Sequence, residues 1–324
     1  MKKKLFIHVG PHKTGTTVIQ KICLDNDSNL QSMNFLYPKT FFSFIGHHEL
    51  VNQVRKRSVS EEAVKNLADS GLNILLSSEN FIDFNLADWR YVKEIFSNFD
   101  IHIIYTWRRS SLKMYSIWQE SIKHGESETF YAYYYSDLIR PGVSDRLSQI
   151  NNLDRMEGVI GFENIHILDY EALSENKSLL SEFFKIMNID SNQLGKKQHS
   201  EGVKNASMKP GLTELLRCLN SLHEKKGYTK SSQVRERFFA KKKSLEDVVK
   251  KTFFLMDGCY KEVSFGDYFV DKSSEKRIYQ KYKPRLVGYE KKSIEKKIDI
   301  VDQQWLLHPD ALKLLSVIYT EISK

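Results

Sequence analysis

The chain has 324 residues, of which 41% are hydrophobic, 28% charged and 12% aromatic. That hydrophobic share fills a core and excludes wholesale disorder, and the length suits one large domain or a core with an extension. The 49 Lys and Arg against 41 Asp and Glu leave a net charge of +8, which suits an anionic ligand without establishing nucleic-acid binding; no nucleic-acid partner is expected. Cys23, Cys218 and Cys259 stand far apart with no CxxC spacing. This argues against a disulfide scaffold or a thiolate zinc site and fits a reducing compartment.

The start, Met1 to Gly10, has basic residues before an apolar run, but the run stops after five residues at His8 and Pro11. A secretory segment needs about 7–15 apolar residues and a membrane span about 20. A cytoplasmic chain with no transmembrane segment is expected, and peripheral association with a membrane surface stays open.

Leu5 to Val9 reads as a strand buried on both faces. The turn Gly10 to Gly15 follows, then a helix from Thr16 with Val18, Ile19, Ile22 and Cys23 on one face. A helix over Glu61 to Ser70 leads into a strand Leu72 to Leu76, ending in Ser77-Ser78-Glu79. A helix over Trp89 to Phe96 leads into a strand Ile101 to Thr106, and after Arg108 and Arg109 a helix carries Leu112, Tyr115, Trp118 and Ile122. A fourth strand, Ile165 to Leu168, precedes a helix over Leu179 to Met187. Strands alternating with helices imply crossovers and a parallel sheet covered on both faces.

Past about residue 195 helical stretches dominate: Leu212 to His223, Ser244 to Phe254, Trp305 to Ile322. Lys225-Lys226, Lys241 to Lys243 and Lys291-Lys292 make this part basic. The expected fold class is α/β, a three-layer P-loop-like parallel sheet flanked by helices, with a helical C-terminal extension. Residues 1–195 form the core and 196–324 a basic extension packed on it within the same domain.

The chemistry centres on Gly10-Pro11-His12-Lys13-Thr14-Gly15-Thr16-Thr17. It lies at a strand's carboxyl end and a helix N-terminus, where unpaired N–H groups and the helix dipole favour an anion. Lys13 adds a charge, and Thr14, Thr16 and Thr17 add hydroxyls. A phosphate or sulfate group is the expected guest. The loop falls short of the triphosphate pattern GxxxxGK[ST], because Thr16 stands where the lysine belongs and Lys13 comes two residues before the second glycine. The strand before Arg108 ends in no carboxylate, which disfavours Mg²⁺, although Glu79 ends another strand and could serve.

The loop resembles the 5′-phosphosulfate-binding loop of sulfotransferases that use 3′-phosphoadenylyl sulfate (PAPS): Lys, then Ser or Thr, then Gly-Thr-Thr. A second signature of that family is a strand ending in Arg with a Ser eight residues on, matched by Arg108 and Ser116. A third is a Tyr-Glu pair past a later strand, matched by Tyr170-Glu171. The resemblance spans roughly residues 4–190 and is greatest to bacterial carbohydrate-type members. It departs from the family where Arg109-Ser110 replaces the usual Asn-Pro or Asp-Pro.

The resemblance implies PAPS as co-substrate, with adenosine 3′,5′-bisphosphate as product and no metal. It places the donor on Lys13, Thr14, Gly15, Thr16 and Thr17, its 3′-phosphate on Arg108 and Ser116, and its adenine near Tyr170. It implies a carbohydrate acceptor belonging to a surface or secreted polysaccharide or its precursor. Lys13 is expected to meet the leaving oxygen. Glu79 is the first choice of base and His12 the second, while a structural carboxylate and a loop histidine are the competing readings. His48, in His47-His48-Glu49, is a candidate acceptor contact; adjacent histidines point apart and lack the i,i+4 geometry of a zinc pair. Phe130 with Tyr131 to Tyr135 suits sugar stacking or buried packing. The basic tail suits an anionic acceptor or solvated helix faces. Two other functions stay open: a P-loop small-molecule kinase, and a non-catalytic anion- or glycan-binding protein.

Overall fold

The computed structural model describes residues 2–195, 208–264, 269–289 and 297–324. Eight strands form among the described residues: β1 (Lys4–His8), β2 (Phe35–Leu36), β3 (Asn73–Ser77), β4 (Asp100–Trp107), β5 (Ile165–Asp169), β6 (Tyr260–Ser264), β7 (Leu286–Val287) and β8 (Lys297–Val301). The four strands expected from apolar runs are β1, β3, β4 and β5, each placed to within a residue at either end.

One sheet has the order β2-β3-β1-β4-β5-β7, with every neighbouring pair parallel. Side chains of a strand alternate between faces, and the two faces carry separate cores. Leu5, Ile7, Ile74, Leu76, Ile103 and Ile167 join one, and Phe6, Leu75, Ile104 and Leu168 join the other. Two cores around one sheet make three layers, so the expected α/β class is the observed one. Each such Leu or Ile contributes about 1.5–3 kcal/mol by burial.

The chain divides into two compact units, neither continuous in sequence. The first holds the described residues within 1–110, 142–204 and 269–294, including the six-stranded sheet. The second holds those within 111–141, 205–268 and 295–324. Neither unit follows the division into 1–195 and 196–324: the helix Phe269–Tyr282 and β7 fall in the first unit, and 111–141 in the second.

Within the second unit, the helices Phe130–Leu138, Pro210–Lys225, Gln233–Lys241, Glu246–Met256 and Ala311–Ser323 accompany the antiparallel pair β6 and β8. Glu214 and Arg217 form a buried ion pair at 2.7 Å, and the Trp305 indole N–H donates to Glu214 Oε1 at 3.2 Å. The continuous helix expected over Trp305 to Ile322 is instead a 3₁₀ turn, Gln303–Leu307, followed by the helix Ala311–Ser323. Pro309 explains the break, since the residue before a proline is pushed out of the helical region. Lys291-Lys292 lies outside the described residues. No helix among the described residues is long and apolar enough to cross a membrane.

Candidate active site

All six sheet strands are parallel, so their carboxyl ends share one edge. From β1 the chain passes to β2 and β3 on one side, then to β4 and β5 on the other. The crevice beside β1 is therefore the switch point where ligands of open α/β sheets bind. The Gly10–Gly15 loop opens there. Gly10 (φ 80°), Lys13 (φ 68°) and Gly15 (φ 82°) are left-handed.

At Gly10 a side chain would also be crowded, because a Cβ would lie 3.0 Å from Glu79 Cα. Lys13 has a Cβ and takes that conformation at a cost of about 1–3 kcal/mol, strain of the kind that concentrates at functional sites. Thr14 Oγ1 donates to the Pro11 carbonyl at 2.6 Å and pins the turn. The helix α1 (Thr16–Asp25) starts at Gly15 with no side-chain cap, so no capping oxygen takes up its first-turn N–H groups. Thr16 is buried, Lys13 and Thr17 are half-buried, and His12 is exposed.

From β4 comes the second cation. Arg108 Nη1 donates to the Lys13 carbonyl at 2.7 Å, and its Nε donates to Glu171 Oε1 at 3.2 Å. Its guanidinium lies 4.9 Å from the centre of the Tyr170 ring. A Cβ on Gly15 would be 4.0 Å from Tyr170 Cε2. Lys13, Gly15, Arg108 and Tyr170 are thus brought together. Arg108 Nη2 has no hydrogen-bond partner among the described residues.

Arg109 points elsewhere. Its Nη1 donates to Asp169 Oδ1 at 2.8 Å and Glu171 Oε2 at 3.1 Å, its Nη2 reaches Glu275 at 3.3 Å, and its backbone N–H donates to Glu171 Oε2 at 3.1 Å. Burial works against its charge, but Asp169, Glu171 and Glu275 more than offset that and raise its pKa above the ordinary arginine value. Sequence reasoning missed this clamp, although Arg-Arg and Asp-Tyr-Glu end neighbouring strands and β4 pairs with β5 through Trp107 and Asp169.

Glu79 follows β3, which pairs with β1 through His8 and Ser77. The buried Gln20 amide donates to Glu79 Oε2 at 3.0 Å and to Ser77 Oγ at 3.3 Å. Ser77 Oγ also bonds His8 Nδ1 at 2.8 Å. Burial lowers the pKa of His8 to about 4, against the pull of the Glu79 charge. Gln20, on the buried side of α1, was the other residue that sequence reasoning missed. It shares the helix face of Ile19 and Cys23 and reads there as a core position.

His47 and His48 bond to successive residues at the end of β3. The Ser77 N–H donates to His47 Nδ1 at 3.0 Å, so its Nε2 carries the proton given to the Pro38 carbonyl at 2.8 Å. Burial holds its pKa down at about 3, the two backbone bonds opposing. His48 is half-buried, with Nδ1 bonded to Ser78 Oγ at 2.7 Å, next to Glu79. Ser116 is half-buried on the helix Ser110–Lys123 and falls in the second unit.

No protein-family model and no curated protein matches this sequence. Among solved structures, the chain is similar to a sulfotransferase from Alicyclobacillus acidocaldarius, with 13% identity over 72% of this chain and 100% of that one and a TM-score of 0.39. A likeness that loose carries no weight on function.

Proposed function

We propose that the chain is a sulfotransferase that moves a sulfuryl group from PAPS to a hydroxyl of an acceptor, a carbohydrate. The observation that carries this reading is the bond from Arg108 Nη1 to the Lys13 carbonyl at 2.7 Å. It ties two cationic residues, on loops from neighbouring strands, at the switch point. A donor with two anionic groups fits such a pair. The phosphosulfate takes the loop with Lys13, Thr14, Gly15, Thr16 and Thr17, and the 3′-phosphate takes Arg108 through Nη2. Tyr170 offers the adenine an aromatic surface. Ser116 enters on the family resemblance alone.

In the reaction the acceptor oxygen bonds to sulfur as the bond from sulfur to the 5′-phosphate oxygen breaks. The leaving phosphate gains negative charge, which the Lys13 ammonium and the first-turn N–H groups meet. No metal is needed for that role. The acceptor proton passes to Glu79, which Gln20 fixes beside Gly10. His12 is the alternative base, and His48, bonded to Ser78, is placed to touch the acceptor.

Arg108→Ala is expected to weaken adenosine 3′,5′-bisphosphate at least tenfold more than adenosine 5′-phosphate, because a charged hydrogen bond is worth about 1.5–3 kcal/mol. Calorimetric titration of both nucleotides tests this, and equal losses would count against the assignment. Glu79→Gln is expected to lower turnover by about 10²–10⁴-fold while leaving donor affinity nearly unchanged. Unchanged PAPS consumption with a saccharide acceptor would move the base to His12.

A further inference from the structure

The second unit contains a cavity of about 300 Å³. One wall is aromatic, made by Tyr115, Trp118, Phe130 and Tyr131; Glu214, Asp302 and Gln303 supply polar groups. The rings of Tyr115, Trp118 and Phe130 interlock with centroids 5.2–5.6 Å apart, Tyr115 and Phe130 standing at 90°. Such an arrangement gives a wall and no parallel slot for a flat base. The volume lies at the low end of small-molecule sites, roughly 300–1,000 Å³, and holds a sugar ring more readily than a nucleotide.

The charges narrow the ligand further. Among the described residues two carboxylates line the cavity and no Lys or Arg does, which disfavours an anion. Each carboxylate already has its own cation: Arg217 holds Glu214 at 2.7 Å, and Lys261 pairs with Asp302. A cationic ligand therefore gains little. What remains is a neutral site rich in hydrogen-bond acceptors beside aromatic surface, with Glu214 buried and fixed by Arg217 and Trp305. Hydroxyl donors on an apolar ring match it, since C–H faces pack on aromatics while hydroxyls reach carboxylate and amide oxygens.

From this chemistry we infer that the second unit carries a binding site for a neutral saccharide, between the Tyr115–Trp118–Phe130 wall and Glu214, Asp302 and Gln303. The site shares with the proposed function only the acceptor class, and its test needs no nucleotide. Saturation-transfer NMR and calorimetry on the full chain would use glucose, galactose, N-acetylglucosamine and their β-linked disaccharides. Binding in the millimolar range is expected, weakened about three- to tenfold by Tyr131→Ala and by Gln303→Ala, two exposed positions whose replacement spares the core. Adenosine 3′,5′-bisphosphate affinity, measured alongside, should be the same in both variants. The inference is overturned if no neutral saccharide binds at about 50 mM, if binding survives both substitutions intact, or if glucuronate or glucosamine binds in preference. Loss of nucleotide binding in the wild type, with saccharide binding retained, would sink the transferase reading and leave this one standing.

Discussion

Arg109→Met is expected to destabilise the first unit by about 3–5 kcal/mol, the cost of breaking a buried charge cluster from one side. The guanidinium is 7% exposed and faces Asp169, itself fully buried, with Glu171 at 1%. Removing it leaves both carboxylates inside the protein, with Arg108 still bonded to Glu171. The methionine fills the volume, so the loss reports charge and hydrogen bonding more than packing. Urea denaturation of both proteins measures it, and a difference under about 1 kcal/mol would mean that solvent or rearrangement compensates. Because Glu171 also accepts from Arg108 Nε, the variant should weaken adenosine 3′,5′-bisphosphate as well.

Lys13→Gly is expected to separate function from stability. Turnover should fall by about 10²–10³-fold, as when a group that meets developing charge is removed. Stability should stay within about 1 kcal/mol of the wild type, since glycine tolerates a φ of 68° that strains lysine. A lysine kept only for structure would give the reverse pattern, with lower stability and intact turnover. Sulfate transfer from PAPS to a saccharide and a thermal melt on the same preparations distinguish the two.

The central strands were legible because each is a short, continuous apolar run, the signature of burial on two faces. The loop was legible because its chemistry is contiguous in sequence. β2 and β7 were not, since two residues carry no period. β6 escaped because Tyr260, Lys261, Glu262, Val263 and Ser264 show no clean alternation, whereas β8 does alternate, with Ile298 and Ile300 buried, and was passed over among the helical stretches. Arg109 and Gln20 became visible only with the strand register: one needs β5 beside β4, the other β3 beside β1. The aromatic run is explained by helical spacing, with Phe130 and Tyr134 buried and Tyr131 and Tyr135, about 100° further round the same helix, exposed. In the basic tail, several lysines have local partners, such as Lys250 with Glu246 and Lys241 with the Glu321 carbonyl.

Calorimetric titration of the wild type, Lys13→Gly and Arg108→Ala with adenosine 3′,5′-bisphosphate, beside ATP with Mg²⁺, bears most directly on the two-cation crevice. The expected result is metal-independent binding of the bisphosphate to the wild type, in the range of about 1–100 μM, lost or greatly weakened in both variants. ATP with Mg²⁺ binding in its place, or bisphosphate binding equally to all three proteins, would contradict the account.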